Sequence, residues 1–398
     1  MAGGVLAEFE YAAQVTSPVI SGEVKLIIGD DALTITGLFD VVAVPYADMS
    51  NLTLESYTVR VVCDTGMFCL NGLGNWCQPF FDALTTAYHQ VVLKSLFVAG
   101  DPVLVACGDW QADEGGQKVG GCAALRVYPD CVVSLPNDMS ARRVPLAFVT
   151  GLEAAGYAVT LHIGDDRYDF SRLGYDHEPF VQAIQGGILA LRDQSLAQVL
   201  AIDGALTPVQ ASQLAKLMPA GAAVPLGQLN GVAASFSAAV EASLNRSGET
   251  FQAFCQLVDP ASIAVGFKAS SGWGKSVTPD AEQAGAPYVL WLVAPSPNGQ
   301  FAAVEFAEPD AATFVYKTNG DVAGFVASLS RALEAISFHR EVIRLGDEEL
   351  RRAENAGYRM AVQRTAALAY VRGQYVGRVI HAGHDTWLAN LQALWSAD

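Results

Sequence analysis

The sequence predicts an α+β protein made of tandem units, each a bent antiparallel sheet closed by one C-terminal helix. Two observations carry this. First, Leu73-Gly74-Asn75-Trp76-Cys77-Gln78-Pro79-Phe80 returns one hundred positions later as Leu173-Gly174-Tyr175-Asp176-His177-Glu178-Pro179-Phe180. The same offset superimposes Val44-Pro45 on Val144-Pro145, Tyr57 on Tyr157, Val59 on Val159, Ala83 on Ala183 and Ser95-Leu96 on Ser195-Leu196, without a gap. Second, each unit runs through short alternating stretches and then switches to helical spacing. Residues 1–100 and 101–200 are therefore copies of one unit.

In the first unit, β-like runs fall near residues 6–11, 24–28, 33–36, 41–46, 52–55, 57–63 and 67–70, separated by Gly, Asp and Asn breaks such as Gly29-Asp30-Asp31. Alternation and β-branched residues make these strands of a meander. From Trp76 the apolar positions Phe80, Leu84, Ala87, Tyr88, Val91 and Val92 follow a helical period, so a helix ends the unit. The second unit repeats the plan, with strands near 103–110, 123–127, 132–135, 143–148, 157–163 and 168–170 and a helix over 178–200. Gly74 and Gly174 mark the strand-to-helix corner. Pro79 and Pro179 fall in an early helical turn that tolerates proline. Phe80 and Phe180 read as plugs that seat each helix on its sheet.

Residues 201–247 read as a helical connector or a flexible linker, and apolar positions at helical spacing favour the connector. Thr207-Pro208 forms an N-cap and first-turn pair, and a second helix is expected over 231–244. Residues 248–343 read as a third, β-rich domain, a diverged copy of the same unit, with strands near 251–258, 263–268, 288–293, 301–306 and 313–317 and a helix over 321–343. Residues 344–398 read as an Arg-rich helical tail, in which Asp347-Glu348-Glu349 suits a helix start.

Several antiparallel strands, roughly one hundred residues and a single C-terminal helix resemble the pleckstrin-homology-like superfold. Val44-Pro45-Tyr46-Ala47-Asp48-Met49 followed by Leu73-Gly74 is similar to the hydrophobic-Pro-x-x-x-hydrophobic strand of bacterial PH-like and GRAM-like modules. The resemblance covers residues 5–98 and 105–198. It implies a bent sheet plugged by a helix, and binding of peptides, proteins or phosphoinositides rather than catalysis. Lipid-binding members carry clustered Lys/Arg between the first two strands. Residues 12–23 hold no basic residue and 112–121 hold only Lys118, so phosphoinositide is disfavoured.

The net charge is −17, and the acidic excess lies in residues 1–338, whereas residues 339–398 come out near +1, with eight arginines and no lysine. Such an acidic body repels nucleic acid and anionic lipid, and it permits a basic protein partner. Half of the residues (51%) are hydrophobic and 16% are charged. That balance fits large packed cores, or apolar surface kept for a partner or a second copy. No run is long and apolar enough for a membrane helix. The first residues lack the basic head and apolar stretch of a signal peptide, and Ala2 occupies the glycine position that myristoylation requires. Seven cysteines without a C-x-x-C pair read as reduced, mostly buried small hydrophobes of a cytoplasmic protein.

Four local patterns carry residue types capable of chemistry. Ala269-Ser270-Ser271-Gly272-Trp273-Gly274-Lys275-Ser276 fits a phosphate loop loosely, with Gly274, Lys275 and Ser276 as its binding residues. The prolines and glycines that follow leave little room for the helix such a loop needs. His381-Ala382-Gly383-His384-Asp385 supplies two imidazoles, but its glycine suggests a helix stop with Asp385 capping the next helix. Asp165, Asp166 and Asp169 do not match a calcium loop and read as a solvated hairpin. Arg344, Arg351, Arg352 and Arg359 belong to a series that either pairs with interleaved glutamates on an exposed face or docks on the acidic units, in cis or on a second subunit.

No catalytic constellation, cofactor site or metal site is expected. The sequence reads as a non-enzymatic interaction or scaffold protein that binds a protein partner or itself. The alternative is a nucleotide-binding enzyme using residues 269–276.

Overall fold

The computed structural model describes residues 10–246, 249–269, 288–306 and 312–396, with 268, 269, 288 and 289 described by their backbone alone. The first unit holds β1 (Glu10–Thr16), β2 (Ser21–Ile28), β3 (Ala32–Thr36), β4 (Val41–Pro45), β5 (Met49–Glu55), β6 (Thr58–Cys63) and β7 (Gly66–Asn71), then α1 (Cys77–Ser95). Its strands pair antiparallel in the order β4-β3-β2-β1-β7-β6-β5. The two edge strands, β4 and β5, are consecutive in sequence, joined only by the turn Tyr46–Asp48. Four Cα steps reach at most about 15 Å, whereas the edges of a flat seven-stranded sheet lie about 28 Å apart. The sheet must therefore curl, and α1 lies against its apolar interior.

The second unit repeats this order. It holds β8 (Leu104–Glu114), β9 (Gln117–Val127), β10 (Cys131–Leu135), β11 (Arg142–Pro145), β12 (Gly151–Ala155), β13 (Ala158–Ile163) and β14 (Asp166–Ser171), then α2 (His177–Ile202). The sheet runs β11-β10-β9-β8-β14-β13-β12. Gly74 and Gly174 hold φ of +54° and +58° at the matching corners, a left-handed backbone in which a side chain is strained. Phe80 and Phe180 are fully buried. Phe80 meets the edge of Tyr11 at 5.0 Å and Phe180 packs on Phe170 at 5.3 Å.

After α3 (Pro208–Leu217), β15 (Val224–Pro225), α4 (Leu226–Val232), α5 (Ala234–Arg246) and α6 (Thr250–Leu257) come β16 (Ala264–Ala269), β17 (Tyr288–Pro295), β18 (Phe301–Phe306) and β19 (Ala312–Lys317). The chain ends with α7 (Val322–Ala335), single helical turns at Glu341–Arg344 and Asp347–Leu350, α8 (Ala356–Arg364), α9 (Ala366–Gly373), β20 (Tyr375–Ile380) and α10 (His384–Trp395). The third sheet runs β15-β16-β17-β18-β19-β20. One face packs in a core with Leu214, Phe236, Phe254 and Trp387, and the other with Phe325, Leu329 and Leu368. Helices on both faces explain why β18 is buried at every residue.

Several expectations change. Among the described residues the third sheet is a plain meander between helix layers, so it does not repeat the strand order of the first two units. Residues 251–258, expected as a strand, form α6. Phe251 and Phe254 are buried one helical turn apart, a period that a short aromatic run disguises. The helix expected over 321–343 stops at Ala335, where Ser337 and Phe338 adopt positive φ. The stretch 344–398 contributes β20, and residues 224–225 of the connector contribute β15, so both edges of the third sheet come from segments read as helical. The break expected over 112–121 is instead part of a long β8–β9 hairpin, turning at Gly115-Gly116 with φ of +58° and +82°. Cys63, Cys77 and Cys131 are buried, but Cys107 and Cys122 are exposed on that hairpin.

Candidate functional site: the groove beside each closing helix

In each unit the closing helix lies next to an edge strand, β5 beside α1 and β12 beside α2, and a groove runs between them. In the first unit this groove is filled from within the chain. The β10–β11 turn of the second unit lays Asn137 and Asp138 along the open edge of β5. There the Leu52 N–H donates to the Asn137 carbonyl at 2.8 Å, and Asn51 bridges to Asp138. The Tyr88 hydroxyl of α1 donates to the Asp138 carbonyl at 2.9 Å and accepts from Arg364 Nη2 at 3.1 Å. Tyr128, Cys131, Val133 and Leu135 share one core with Val92 and Leu93 of α1 and with Leu96 just after it. The contact thus joins a backbone addition to a strand edge with apolar burial.

His89 sits under this turn and is 5% exposed. Burial lowers its pKa to about 4, the Pro136 carbonyl opposes that shift through a hydrogen bond, and the Arg126 charge adds to it. Between pH 6.5 and about 4 the unfolded chain protonates this imidazole and the folded protein does not. The stability that neutral His89 contributes is complete above pH 6.5 and falls as pH drops towards 4, by on the order of 3 kcal/mol. His89→Leu installs the residue that the second unit carries at the matching position, Leu189. Urea unfolding of the variant at pH 7 and pH 4.5 should show a weaker loss on acidification than wild type, and an unchanged loss would remove His89 as its cause.

The matching groove of the second unit is open. Leu152 stands in for Leu52, Ile188 for Tyr88 and Leu189 for His89. A 330 Å³ cavity lies among Val149, Gly151, Leu152, Gln185, Ile188 and Leu189, with Arg192 also at its wall. Among the described residues β12 is an edge strand with no neighbour on its outer side. Leu189 is 59% exposed. The third body reaches the far end of α2, where the Ala220 N–H donates to Ser195 Oγ at 3.4 Å and Val199 joins the core of that body.

Two larger clefts lie at the junctions of the bodies. One of 1710 Å³ separates the second unit from α3 and α7, with Asp165, Arg192 and Lys216 among its polar lining. Ion pairs hold that junction together. Arg143 of β11, fully buried, makes a two-pronged contact with Glu334 of α7 (both 2.8 Å) and reaches Asp130 at 2.8 Å. Burial opposes the Arg143 charge, yet Glu334 raises its pKa well above the ordinary value. Arg331 of α7 pairs with Asp166 at 2.6 Å. A second cleft, 990 Å³, lies between the first unit and residues 351–359.

The candidate residues read from the sequence take the following places. Leu73 and Leu173 are buried at the corners. Pro79 and Pro179 are the third residues of α1 and α2. Pro45 and Pro145 end β4 and β11, and Tyr57 and Tyr157 stand exposed at the next hairpin turns. Arg359 pairs with Asp48 of the first unit, Arg344 lies 5.0 Å over the Phe314 ring, Arg352 faces Glu354 at 3.8 Å, and Arg351 is exposed. Gly274, Lys275 and Ser276 lie outside the described residues. The flanking strands β16 and β17 pair antiparallel, with Ala269 opposite Tyr288.

His381 Nε2 lies 3.0 Å from Thr313 Oγ1, whose hydroxyl donates to Glu305 at 2.5 Å and accepts from Trp387 Nε1 at 2.8 Å. The Glu305 hydrogen bond raises the His381 pKa. His384 is exposed, and Gly383 rather than Asp385 occupies the N-cap. Asp165-Asp166-Asp169 is not a free carboxylate cluster, because Asp166 meets Arg331 and Asp169 meets Arg167 and Thr160. Sequence reasoning missed Arg143 and Glu334. The available signal was Arg142-Arg143 standing where the first unit has Val42-Ala43.

No protein-family model and no curated protein matches the chain. The solved structure of the Spt16D Pob3N heterodimer aligns with 40% of this chain and 84% of its own, at 10% sequence identity and a TM-score of 0.18, a likeness too slight to support an assignment.

Proposed function

We propose that the chain is a non-enzymatic protein-interaction scaffold built on two tandem PH-like units, and that the groove between β12 and α2 receives a segment of another protein chain. One observation carries this reading. The equivalent groove of the first unit is occupied by a turn that hydrogen-bonds the edge strand β5 and the α1 residue Tyr88. The fold thus accommodates backbone at this place in one unit and leaves it open in the other. Seven strands, their order and a single closing helix in both units support the PH-like part of the reading. Protein is favoured over lipid or nucleic acid by the net charge of −17, and no helix among the described residues is long and apolar enough to cross a membrane. The seven cysteines are unpaired, which accords with a cytoplasmic location.

A displayed peptide library panned on the wild-type protein, with Leu189→Arg as the counter-bait, tests this. Peptides enriched on the wild type and lost on the variant are expected. Equal enrichment on both would put binding elsewhere, and no enrichment would end the reading of this groove.

A further inference from the structure

Resting on that reading, we propose that the segment received by the β12–α2 groove is the β3–β4 hairpin of a second copy of this chain. The duplication supplies both halves of the contact. Inside the chain the donor is the β10–β11 turn of the second unit and the acceptor is the β5–α1 groove of the first. The topological equivalent of that donor is the β3–β4 turn, and the equivalent of that acceptor is the β12–α2 groove. Each chain therefore carries one used pair and one unused pair, the unused donor on its first unit and the unused acceptor on its second.

The side chains of the unused pair suit each other. The β3–β4 turn is tight, with the Gly37 N–H donating to the Asp40 carbonyl at 2.8 Å. It holds Leu38 and Phe39 at its tip, 85% and 90% exposed, with Val41 at 68%. Three large apolar side chains within four positions, all largely in solvent, form a small exposed patch. The turn that fills the internal groove is more polar, carrying Asn137, Asp138 and Met139, and the partners it meets there are Tyr88 and His89. In the second unit those partners become Ile188 and Leu189, so an apolar tip faces an apolar acceptor. Asp40, beside Phe39, brings a carboxylate to a rim that carries Arg192.

The β3–β4 hairpin is one residue shorter than its counterpart: Ala32 pairs with Pro45 across twelve intervening residues, whereas Cys131 pairs with Pro145 across thirteen. The two contacts are therefore equivalent in placement and not atom for atom. Donor and acceptor are different surfaces, so the association is head-to-tail and extends unless its rotation closes a ring.

The test uses the full-length protein and three samples in sedimentation velocity over a concentration series up to the millimolar range. Wild type is expected to grow in mass with concentration. Phe39→Asp, which removes the donor, and Leu189→Asp, which removes the acceptor, change exposed side chains, and each alone should remain monomeric. Mixed, they should form one-to-one dimers that grow no further, since each still carries one intact half. A monomeric wild type throughout the series would overturn the proposal, as would self-association that survives Phe39→Asp or a mixture that stays monomeric. The peptide selection separates the two readings. Groove-dependent peptides with a monomeric wild type would keep the scaffold and discard the second copy as occupant, whereas failure of both would discard the groove.

Discussion

Glu334→Ala is expected to lower the unfolding free energy by about 3–5 kcal/mol, because it leaves the Arg143 guanidinium buried without its main counter-charge. Arg143 and Glu334 have side chains only 3% and 9% exposed, and their two 2.8 Å contacts join the second unit to the helix layer of the third body. Asp130, the remaining partner of Arg143, is about half exposed and screened by water. Removing both charges together, as Arg143→Met with Glu334→Leu, should cost much less, since nothing charged is then stranded. Urea unfolding of the single and double variants decides this. A single-variant loss below about 1 kcal/mol would place the pair among ordinary surface contacts.

Phe180→Ala should destabilise by about 3–5 kcal/mol, and Phe80→Ala by a similar amount, because each empties the space where a fully buried ring seats its helix on the curled sheet. The two substitutions are not interchangeable in their surroundings. Phe80 leans on half-buried Tyr11, which can move into the space, whereas Phe180 packs on fully buried Phe170. The larger loss is therefore expected at Phe180. Thermal and urea unfolding of both variants check the order, and unchanged melting temperatures would mean that neither ring is a plug.

How much of this was legible depended on whether a feature was local or repeated. The corner glycines, the plugs and the closing helices were visible because a duplication prints each of them twice. The α3 cap at Thr207 was visible because an N-cap residue followed by proline is a local signal, and the structure adds a capping box in which Gln210 answers the Thr207 side chain. What failed was tertiary. The alternation of Phe251 to Val258 could not reveal that helix layers flank the third sheet. Nor could the composition of 344–398 reveal that Tyr375–Ile380 completes that sheet. The groove beside the closing helix is filled in the first unit and open in the second. That asymmetry goes with differences between the copies, His89 against Leu189 and Tyr88 against Ile188, which the residues shared at the hundred-residue offset do not reveal.

The two edges of the third sheet are supplied by residues 224–225 and 375–380. On the ribosome this sets an order of events. The first two units emerge early and can fold with their own residues, while β19 waits with a bare edge until some sixty further residues have been made. The same late segment brings Arg364 to Tyr88 and Arg359 to Asp48, so the first unit too receives its outer cover last. A nascent chain interrupted before Tyr375 would therefore display an unpaired strand at its end, the kind of surface that chaperones shield and that drives aggregation when they do not.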